Sequence, residues 1–318
     1  MKFALGKATR EAYGDALRDL GRVNPNVVAL DADLSKSTMS KYFAQEFPER
    51  FFNVGIAEAN MVGIAAGLAA CGKIPFASSF ACFVMCKAFD QLRMSVAYPN
   101  LNVKIVGSHG GISIGEDGAS QMAVEDVALA TALPGFTVVV PADEVEARAA
   151  VRAMAEHVGP VYMRVGRPKA PIVHEQGCDF ALGKAITMRD GRDMTLIANG
   201  LLVAAALEAA ETLAARGIAA RVLDMATVKP LEEAAVLAAA RETRGIVVAE
   251  EHLQHGGLGS AVAMAVGRLH PAPLAFVSVG DRYAESGKPD ELLRKYGLTA
   301  SDVEAAALRL LERAAQGV

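Results

Sequence analysis

The chain has 318 residues, enough for about two domains with substantial buried cores. Hydrophobic residues make up 52% and charged residues 21%, and the formal net charge is -4 without a run of Lys or Arg. This composition argues against a nucleic-acid partner. No apolar stretch reaches the roughly 20 residues that a membrane-spanning helix needs, so we expect no membrane partner either. The N-terminal residues predict an amphipathic helix rather than a secretory signal, so we expect a cytoplasmic protein.

Short β-branched runs alternate with Ala-rich helical segments along the chain. The predicted strands are, in order, VVALDA, VKIVGS, FTVVVPA, MTLIA, ARVLDM and GIVVAEE. This alternation is typical of α/β domains with mostly parallel sheets flanked by helices. The periodicity stops between Arg164 and Asp193, where Pro, Gly and charged residues predominate. We therefore predict a first domain over residues 1–172, a linker with an entry hairpin over 173–192, and a second domain over 193–318.

The four cysteines form no recognisable disulfide framework or zinc site. Cys82 and Cys86 lack a second pair at a suitable spacing, and Cys71 and Cys178 stand alone in the sequence. We expect structural thiols, and we assign no metal ligand in this chain.

Glu58 is the first candidate for chemistry. In parallel sheets, ligands bind beyond the carboxyl ends of the strands, and NVGIAEAN is one of the polar segments that follow predicted strands. Glu58 precedes a helical segment, 59–70, whose only polar side chain is Asn60. The carboxylate either complements the positive end of the helix dipole or is buried for proton transfer. Its position in the sequence leaves both interpretations open.

His109 opens a second polar segment, SHGGISIGEDGASQ, which is rich in glycine. Glycines allow backbone to approach a ligand closely, but they are equally typical of a flexible surface turn. The segment lacks the spacing of the known phosphate-binding loops. By itself this segment identifies no reaction.

Taken together and in order, these motifs resemble the C-terminal half of transketolase, a thiamine-diphosphate enzyme. The resemblance covers the whole chain and is most specific at GIAEA and GEDGASQ. Supporting segments are ALDADLSKS, IPFASSFACF, VVVPAD, PVYMRVGR, VLDMATVKPL and EEHLQHGGLG. The resemblance implies a pyrimidine-binding domain followed by a transketolase C-terminal domain.

The resemblance implies a set of cofactor-binding residues. Glu58 would hydrogen-bond the aminopyrimidine ring and activate the cofactor, which requires a carboxyl group shielded from water. Phe80 and Phe83 would form the aromatic pocket around that ring, with Phe83 stacking on it. Asp33 would lie close to the cofactor. Core packing is the ordinary alternative for the two Phe, and a turn or helix cap is the alternative for Asp33.

The resemblance also implies substrate contacts. His109 would face a terminal hydroxyl or phosphate of the sugar and take part in catalysis, and Asp117 would face a hydroxyl near the reacting carbon. Ser37 and Arg167 would contact phosphate, a role to which Arg is well suited. Gln121 would contact the substrate in place of a common His.

The sequence departs from the family pattern at three positions. Gln121 replaces that His, Gly6 stands where many transketolases have a phosphate-binding Arg, and Cys86 replaces an aromatic residue. The expectation is that ketol transfer is kept while a different sugar or a differently placed anion is recognised. Arg164 either compensates for the missing Arg or forms an ordinary ion pair.

The diphosphate-binding motif of the family, GDG followed some thirty residues later by Asn, is absent from the sequence. The resemblance therefore implies a partner subunit that carries GDG and holds Mg²⁺ or Ca²⁺ with the diphosphate, in a heterotetramer in which this chain also self-associates. The expected reaction moves a two-carbon ketol unit from a ketose, or its phosphate, to an aldose, or its phosphate.

Two alternatives stay open from the sequence. One is a related thiamine-diphosphate enzyme, either similar to 1-deoxyxylulose-5-phosphate synthase or the β-subunit of a 2-oxo-acid dehydrogenase. The other is a non-catalytic scaffold subunit, because a fold does not by itself imply a function.

Overall fold

The computed structural model describes residues 3–315. Its strands are β1 Leu5–Ala8, β2 Val27–Asp31, β3 Phe51–Asn53, β4 Ile74–Phe80, β5 Lys104–Ser108, β6 Thr137–Val139, β7 Val161–Val165, β8 Lys169–Pro171, β9 Ile186–Arg189, β10 Met194–Ala198, β11 Ala220–Asp224, β12 Thr227–Lys229, β13 Ile246–Ala249 and β14 Leu274–Val277. Its α-helices are α1 Thr9–Val23, α2 Ser35–Thr38, α3 Lys41–Glu46, α4 Glu58–Ala70, α5 Ala81–Lys87, α6 Phe89–Gln91, α7 Asp126–Thr131, α8 Glu144–Glu156, α9 Leu202–Ala215, α10 Glu233–Glu242, α11 Leu258–Leu269, α12 Pro289–Lys295 and α13 Ala300–Ala315. A 3₁₀ turn at Pro48–Arg50 and a π-helical turn at Leu92–Ala97 complete the secondary structure.

The first half of the chain forms a seven-stranded sheet with the order β12-β6-β7-β5-β4-β2-β3. All neighbours pair in parallel except β12 and β6. Strands β2, β5 and β7 are buried along their whole length, in agreement with the apolar residues at most of their positions. Helices α1 and α8 cover one face and α4, α5 and α7 the other, so this is a doubly covered α/β sheet.

The second half forms a five-stranded sheet with the order β14-β13-β10-β11-β9. Only β9 is antiparallel to its neighbour. Helix α9 packs on this sheet with alanines at most of its buried positions, which allow close approach of helix and strands. The two sheets with their helices confirm the predicted fold class, and each of the six predicted runs contains a strand.

The two halves share structure beyond a simple linker. Strand β12 belongs to the second half of the chain but adds to the edge of the first sheet, where it pairs with β6. Strand β9 lies within the segment 173–192 and forms an edge of the second sheet rather than a hairpin. Hydrogen bonds also connect the two halves. The Glu251 carboxylate accepts one from Ser113 N at 2.5 Å, and the Glu251 backbone carbonyl accepts one from Arg164 at 2.7 Å.

None of the helices in residues 3–315 combines the length and the apolar character required to cross a bilayer.

Candidate active site

The residues singled out from the sequence collect at the carboxyl edge of the first sheet. Glu58 begins α4 shortly after β3, and Phe80 is the last residue of β4. His109 directly follows β5, and Arg167 follows β7 by two residues. Because these strands are parallel, their carboxyl ends lie at one edge, where ligands bind in folds of this type.

Glu58 is buried, with 3% of its surface exposed. Its Oε1 accepts a hydrogen bond from the Ser79 hydroxyl at 3.3 Å, and Nζ of Lys87 lies 3.8 Å from its Oε2. Behind it, Met61 and Val62 of α4 are fully buried in the core. Glu58 is thus both the first residue of a helix and a buried carboxylate, so the two interpretations left open by the sequence are compatible.

Aromatic rings line the site beside Glu58. The rings of Phe80 and Phe83 are nearly parallel, with centroids 5.5 Å apart and an interplanar angle of 16°. The His109 ring stacks on Phe80 at 3.9 Å, and Nζ of Lys87 lies 4.2 Å from the centre of the Phe83 ring. Phe80 is buried, whereas Phe83 is only partly covered. A partly covered ring near a buried carboxylate fits a flat heteroaromatic ligand with a hydrogen-bonding ring nitrogen.

His109 is held in one orientation as a neutral ring. Its backbone has φ 61°, a left-handed conformation that few non-glycine residues adopt. The Arg10 Nη1 lies 3.2 Å from Nε2, and Arg only donates, so Nε2 accepts and Nδ1 carries the proton toward Ser108 Oγ at 2.6 Å. Burial, together with the nearby charges of Arg10 and Arg167, lowers the pKa of His109 to about 3. His109 therefore acts as a neutral hydrogen-bonding group near pH 7.

Arg10 is the main residue of this site that the sequence analysis missed. Its Nη1 donates to the Ser37 carbonyl at 2.7 Å as well as contacting His109, and among the described residues nothing hydrogen-bonds its buried Nε. Burial lowers its pKa, and the nearby charge of Arg167 acts in the same direction. A partly dehydrated guanidinium next to a second one is suited to binding an anion. Its position in the first turn of an amphipathic helix contained no signal of this role.

The structure shows the surroundings of Gly6 and of Arg164. Gly6 lies in β1, where an added Cβ would meet the Ile172 side chain. Arg164 does not compensate, because it is buried, lies 3.1 Å from Asp126 and donates to backbone carbonyls. Arg164 thus has a structural role.

Arg167 lies next to acidic side chains of the glycine-rich segment. Its Nη1 donates to the Ile114 carbonyl at 2.5 Å and lies 3.2 Å from Glu116 and 3.8 Å from Asp117. Asp117 is exposed, and the Gln121 carbonyl accepts a hydrogen bond from a thiol of α5 at 3.2 Å. This arrangement holds the segment over the carboxyl edge of the sheet.

Asp33 and Ser37 lie in the turn after β2. Asp33 has φ 64°, is exposed and accepts a hydrogen bond from the Asn53 amide at 2.9 Å. The turn is anchored by Asp31, another residue that the sequence analysis did not single out. Burial raises the pKa of Asp31 to about 6 although its carboxylate accepts hydrogen bonds from Thr38, Leu34 and Ser40. This anchor positions Ser37 next to Arg10.

Within residues 3–315, the one group of three side chains arranged to hold a metal ion is Glu146, His174 and Asp224, which shares no residue with this site. The described part of the site therefore offers an aromatic and carboxylate pocket and an anion-binding group, without a metal-binding cluster of its own.

Comparison with known proteins agrees with this geometry. The family model "Transketolase, pyrimidine binding domain" matches residues 6–172, and "Transketolase, C-terminal domain" matches residues 183–303. The 6-deoxy-6-sulfo-D-fructose transketolase subunit SqwH of Clostridium sp. (strain MSTE9) is 46% identical over 96% of this chain and 94% of its own length. A subunit of the apulose-4-phosphate transketolase of Phocaeicola vulgatus is 38% identical over 96% of this chain and 98% of its own.

A solved structure described as a split gene transketolase, inactive beta4 tetramer, superposes with a TM-score of 0.91 at 51% identity, covering 96% of this chain and 99% of that one. These matches favour transketolase over the synthase, dehydrogenase and scaffold alternatives. The chain belongs to the transketolase family of thiamine-diphosphate-dependent enzymes, in which it corresponds to the subunit with the pyrimidine-binding and C-terminal domains.

Proposed function

We propose that this chain binds the aminopyrimidine part of thiamine diphosphate, and that a separate GDG-containing subunit binds the diphosphate together with Mg²⁺ or Ca²⁺. The assembled enzyme transfers a two-carbon ketol unit from a ketose phosphate to an aldose phosphate. The observation that carries the proposal is the buried Glu58 carboxylate beside the stacked rings of Phe80 and Phe83.

Each side chain has a distinct task in this proposal. When bound, the cofactor supplies the carbon nucleophile that breaks the bond between the second and third sugar carbons. Glu58 hydrogen-bonds the pyrimidine ring and holds a proton there, and Phe83 stacks on that ring. Ser79 and the apolar α4 keep water from the Glu58 carboxyl. Asp33, which is exposed and hydrogen-bonded to the Asn53 amide, lies close to the cofactor.

The sugar is bound by its charged end and its hydroxyl groups. Arg10, Ser37 and Arg167 bind the terminal anion, and neutral His109 offers a hydrogen bond beside it. Asp117 and Gln121 contact hydroxyl groups of the sugar. The names of the two relatives above both specify an anionic sugar, one a sulfonate and one a phosphate, which supports an anion as the recognised group.

Three further assignments belong to the same proposal. Two relatives of similar length are named as subunits, and a similar solved structure is described as a beta4 tetramer. These names support a partner subunit and self-association, which we combine in a heterotetramer. The chain is divided into a pyrimidine-binding domain over 1–172, a linker over 173–192 and a C-terminal domain over 193–318. We also place the enzyme in the cytoplasm.

The first test is ketol transfer from xylulose 5-phosphate to ribose 5-phosphate with thiamine diphosphate and Mg²⁺. The chain is assayed alone and after mixing with a candidate GDG-containing subunit. We expect turnover only in the mixture. Turnover by the chain alone would contradict the division of the cofactor site between two subunits, and cofactor binding without turnover would point to a different sugar.

The second test concerns Glu58. We expect Glu58→Gln to lower kcat by about 100-fold or more, because proton transfer by a positioned carboxyl typically contributes that much. Glu49→Gln, at an exposed carboxylate of the 3₁₀ turn, is the matched control and should leave kcat unchanged. Activity of the Glu58 variant within a few-fold of the parent would remove the proposed cofactor role.

A further inference from the structure

Three separate segments of the chain meet at a buried cluster that the proposed function does not use. Glu146 lies in α8, His174 lies between the two sheets, and Asp224 ends β11. Their exposed fractions are 0%, 6% and 1%. The cluster therefore joins the first sheet layer, the connecting segment and the second sheet in the protein interior.

The His174 ring is oriented by a fourth side chain. Its Nδ1 lies 3.1 Å from Oδ2 of Asp143, and the same oxygen accepts the backbone N–H groups of Val173 and His174 at 2.8 and 2.9 Å. Oδ1 of Asp143 accepts two N–H groups at the start of α8. An ionised carboxylate only accepts, so Nδ1 carries a proton and Nε2 faces Glu146 and Asp224.

The atoms that face each other are buried, and within residues 3–315 they reach no polar group outside the cluster. They are His174 Nε2, Glu146 Oε1 and both carboxylate oxygens of Asp224. Nε2 lies 3.2 Å from Asp224 Oδ2, and one ligand atom from each of the three residues lies within 4.8 Å of the others. Ligands of a tetrahedral metal site with bonds of about 2.0 Å are about 3.3 Å apart. The 3.2 Å spacing of the His–Asp pair suits two ligands of one metal ion as well as an ion pair without metal.

The ligand chemistry also fits. One imidazole nitrogen and two carboxylates are donors typical of Zn²⁺ and similar divalent transition metals, and two carboxylates balance the charge of the ion. A metal-binding His almost always donates its other ring N–H to a carboxylate or carbonyl, which is the contact that Asp143 makes. We propose that Glu146, His174 and Asp224 bind one divalent transition-metal ion in a structural site between the two halves of the chain.

Cys178 lies close to this cluster. Burial and the charges of Glu146, Asp143 and Asp224 raise the pKa of its thiol to about 11. Its sulfur is not among the ligand atoms that come together in the cluster, so we assign the fourth coordination position to water.

The competing occupant of the cluster is a proton. Although burial opposes a charged ring, the hydrogen bonds to Asp143 and Asp224 raise the pKa of His174 to about 10, and burial raises the pKa of Glu146. Metal binding releases the His174 Nε2 proton, since a ligand must offer a lone pair. The test therefore distinguishes a metal-filled cluster from a proton-filled one.

The full chain is treated with a chelator, desalted, and titrated with Co²⁺ and then Zn²⁺ in the absence of thiamine diphosphate and Mg²⁺. We expect one Co²⁺ per chain with visible d–d absorption, displacement by one Zn²⁺, and a higher unfolding temperature with metal. Cys178→Ser should leave the Co²⁺ spectrum and the stoichiometry unchanged, because the cluster is formed by the other three side chains.

Substitutions locate the site. His174→Gln and Asp224→Asn should each weaken Co²⁺ binding by 100-fold or more, whereas His255→Gln, at an exposed His, should not change it. Where one of these variants fails to fold, Glu146→Gln gives the same comparison. The Gln side-chain oxygen can still accept the hydrogen bond that Ala142 N donates to Glu146 Oε2. Stoichiometry far below one per chain, or equal binding by the variants and the parent, would overturn the proposal in favour of a proton-sharing cluster.

Discussion

At the scale of single residues, the site depends on how neighbouring groups change the hydrogen-bonding state of His109. Its ring is stacked on Phe80 and placed between Ser108 and Arg10. The folded protein disfavours protonation here, because the charged ring would be buried and would face a guanidinium.

We predict that His109 remains neutral from pH 5 to pH 8, with the proton on Nδ1. Its pKa is about 3 in the folded chain and about 6.5 in the unfolded chain, so between these values the unfolded state binds more protons. His109 therefore makes the free energy of unfolding rise with pH between about 3 and 6.5. As pH falls from about 6.5 toward 3, this contribution to stability is progressively lost. NMR of the ring nitrogens as a function of pH measures the pKa and the protonated nitrogen of His109, with the signals assigned by comparison with His109→Asn. A titration midpoint between pH 5 and 7 would contradict the geometry.

We predict a second residue-scale effect for Arg10. Arg10→Gln should lower kcat/KM for xylulose 5-phosphate by about 10- to 100-fold, since hydrogen bonds to charged groups contribute about 1.5–3 kcal/mol. For a sugar without a terminal anion, the same substitution should lower kcat/KM far less. Arg241→Gln, at an exposed Arg on α10, is the control. Equal losses for charged and uncharged sugars would mean that Arg10 only supports the turn at Ser37.

At the scale of elements, buried ion pairs connect strands to the segments that carry the site. Arg164 of β7 lies 3.1 Å from Asp126 at the start of α7, and both are nearly fully buried. Arg164 also donates to the Glu251 carbonyl in the other half of the chain. Removing one member of such a pair leaves a buried charge without compensation.

We predict that Arg164→Met lowers the free energy of unfolding by about 3–5 kcal/mol. The double variant Arg164→Met with Asp126→Leu should lower the free energy of unfolding by less, because no uncompensated buried carboxylate remains. Arg268→Gln breaks an exposed ion pair with Glu233 and should change stability by at most about 1 kcal/mol. Urea titrations of the four proteins provide the comparison, and similar losses for Arg164→Met and Arg268→Gln would refute the role of burial.

At the scale of the whole molecule, apolar side chains are exposed on both sides of Glu58 in the sequence. Ile56 is 79% exposed in the loop before Glu58, and Phe52 and Ile64 are exposed nearby in sequence. Helix α4 is apolar around its whole circumference, although an exposed helix face is normally polar. Such surface is typical of an interface with another chain, which supports the proposal that a partner subunit completes the site.

We predict that Ile56→Asp prevents assembly with the GDG-containing subunit and abolishes ketol transfer, while circular dichroism of the chain stays unchanged. Val158→Asp introduces the same charge at a residue that is 81% exposed and lies outside the apolar surface, so assembly should be retained. Light scattering of the mixtures measures the assembled mass. An active, fully assembled Ile56→Asp enzyme would exclude this surface from the partner contact.

Secondary structure was predictable where strands are rich in β-branched residues. Strand β4 was not among the predicted strands, because Ile74–Phe80 contains Pro, Ala and Ser in place of β-branched residues. It is nevertheless a central strand between β2 and β5. Burial between two neighbours overrides its weak intrinsic preference.

The sequence by itself determined the α/β class, the positions of six strands along the chain and the candidates Glu58, Phe80, Phe83 and His109, because apolar periodicity and specific motifs are local properties. Only the tertiary structure brought Arg10 to His109, 99 residues away, and placed Asp224 beside His174. Contacts of this kind depend on which strands become neighbours in a sheet. Local patterns record which residues are buried, but strand order is decided by packing of the whole chain.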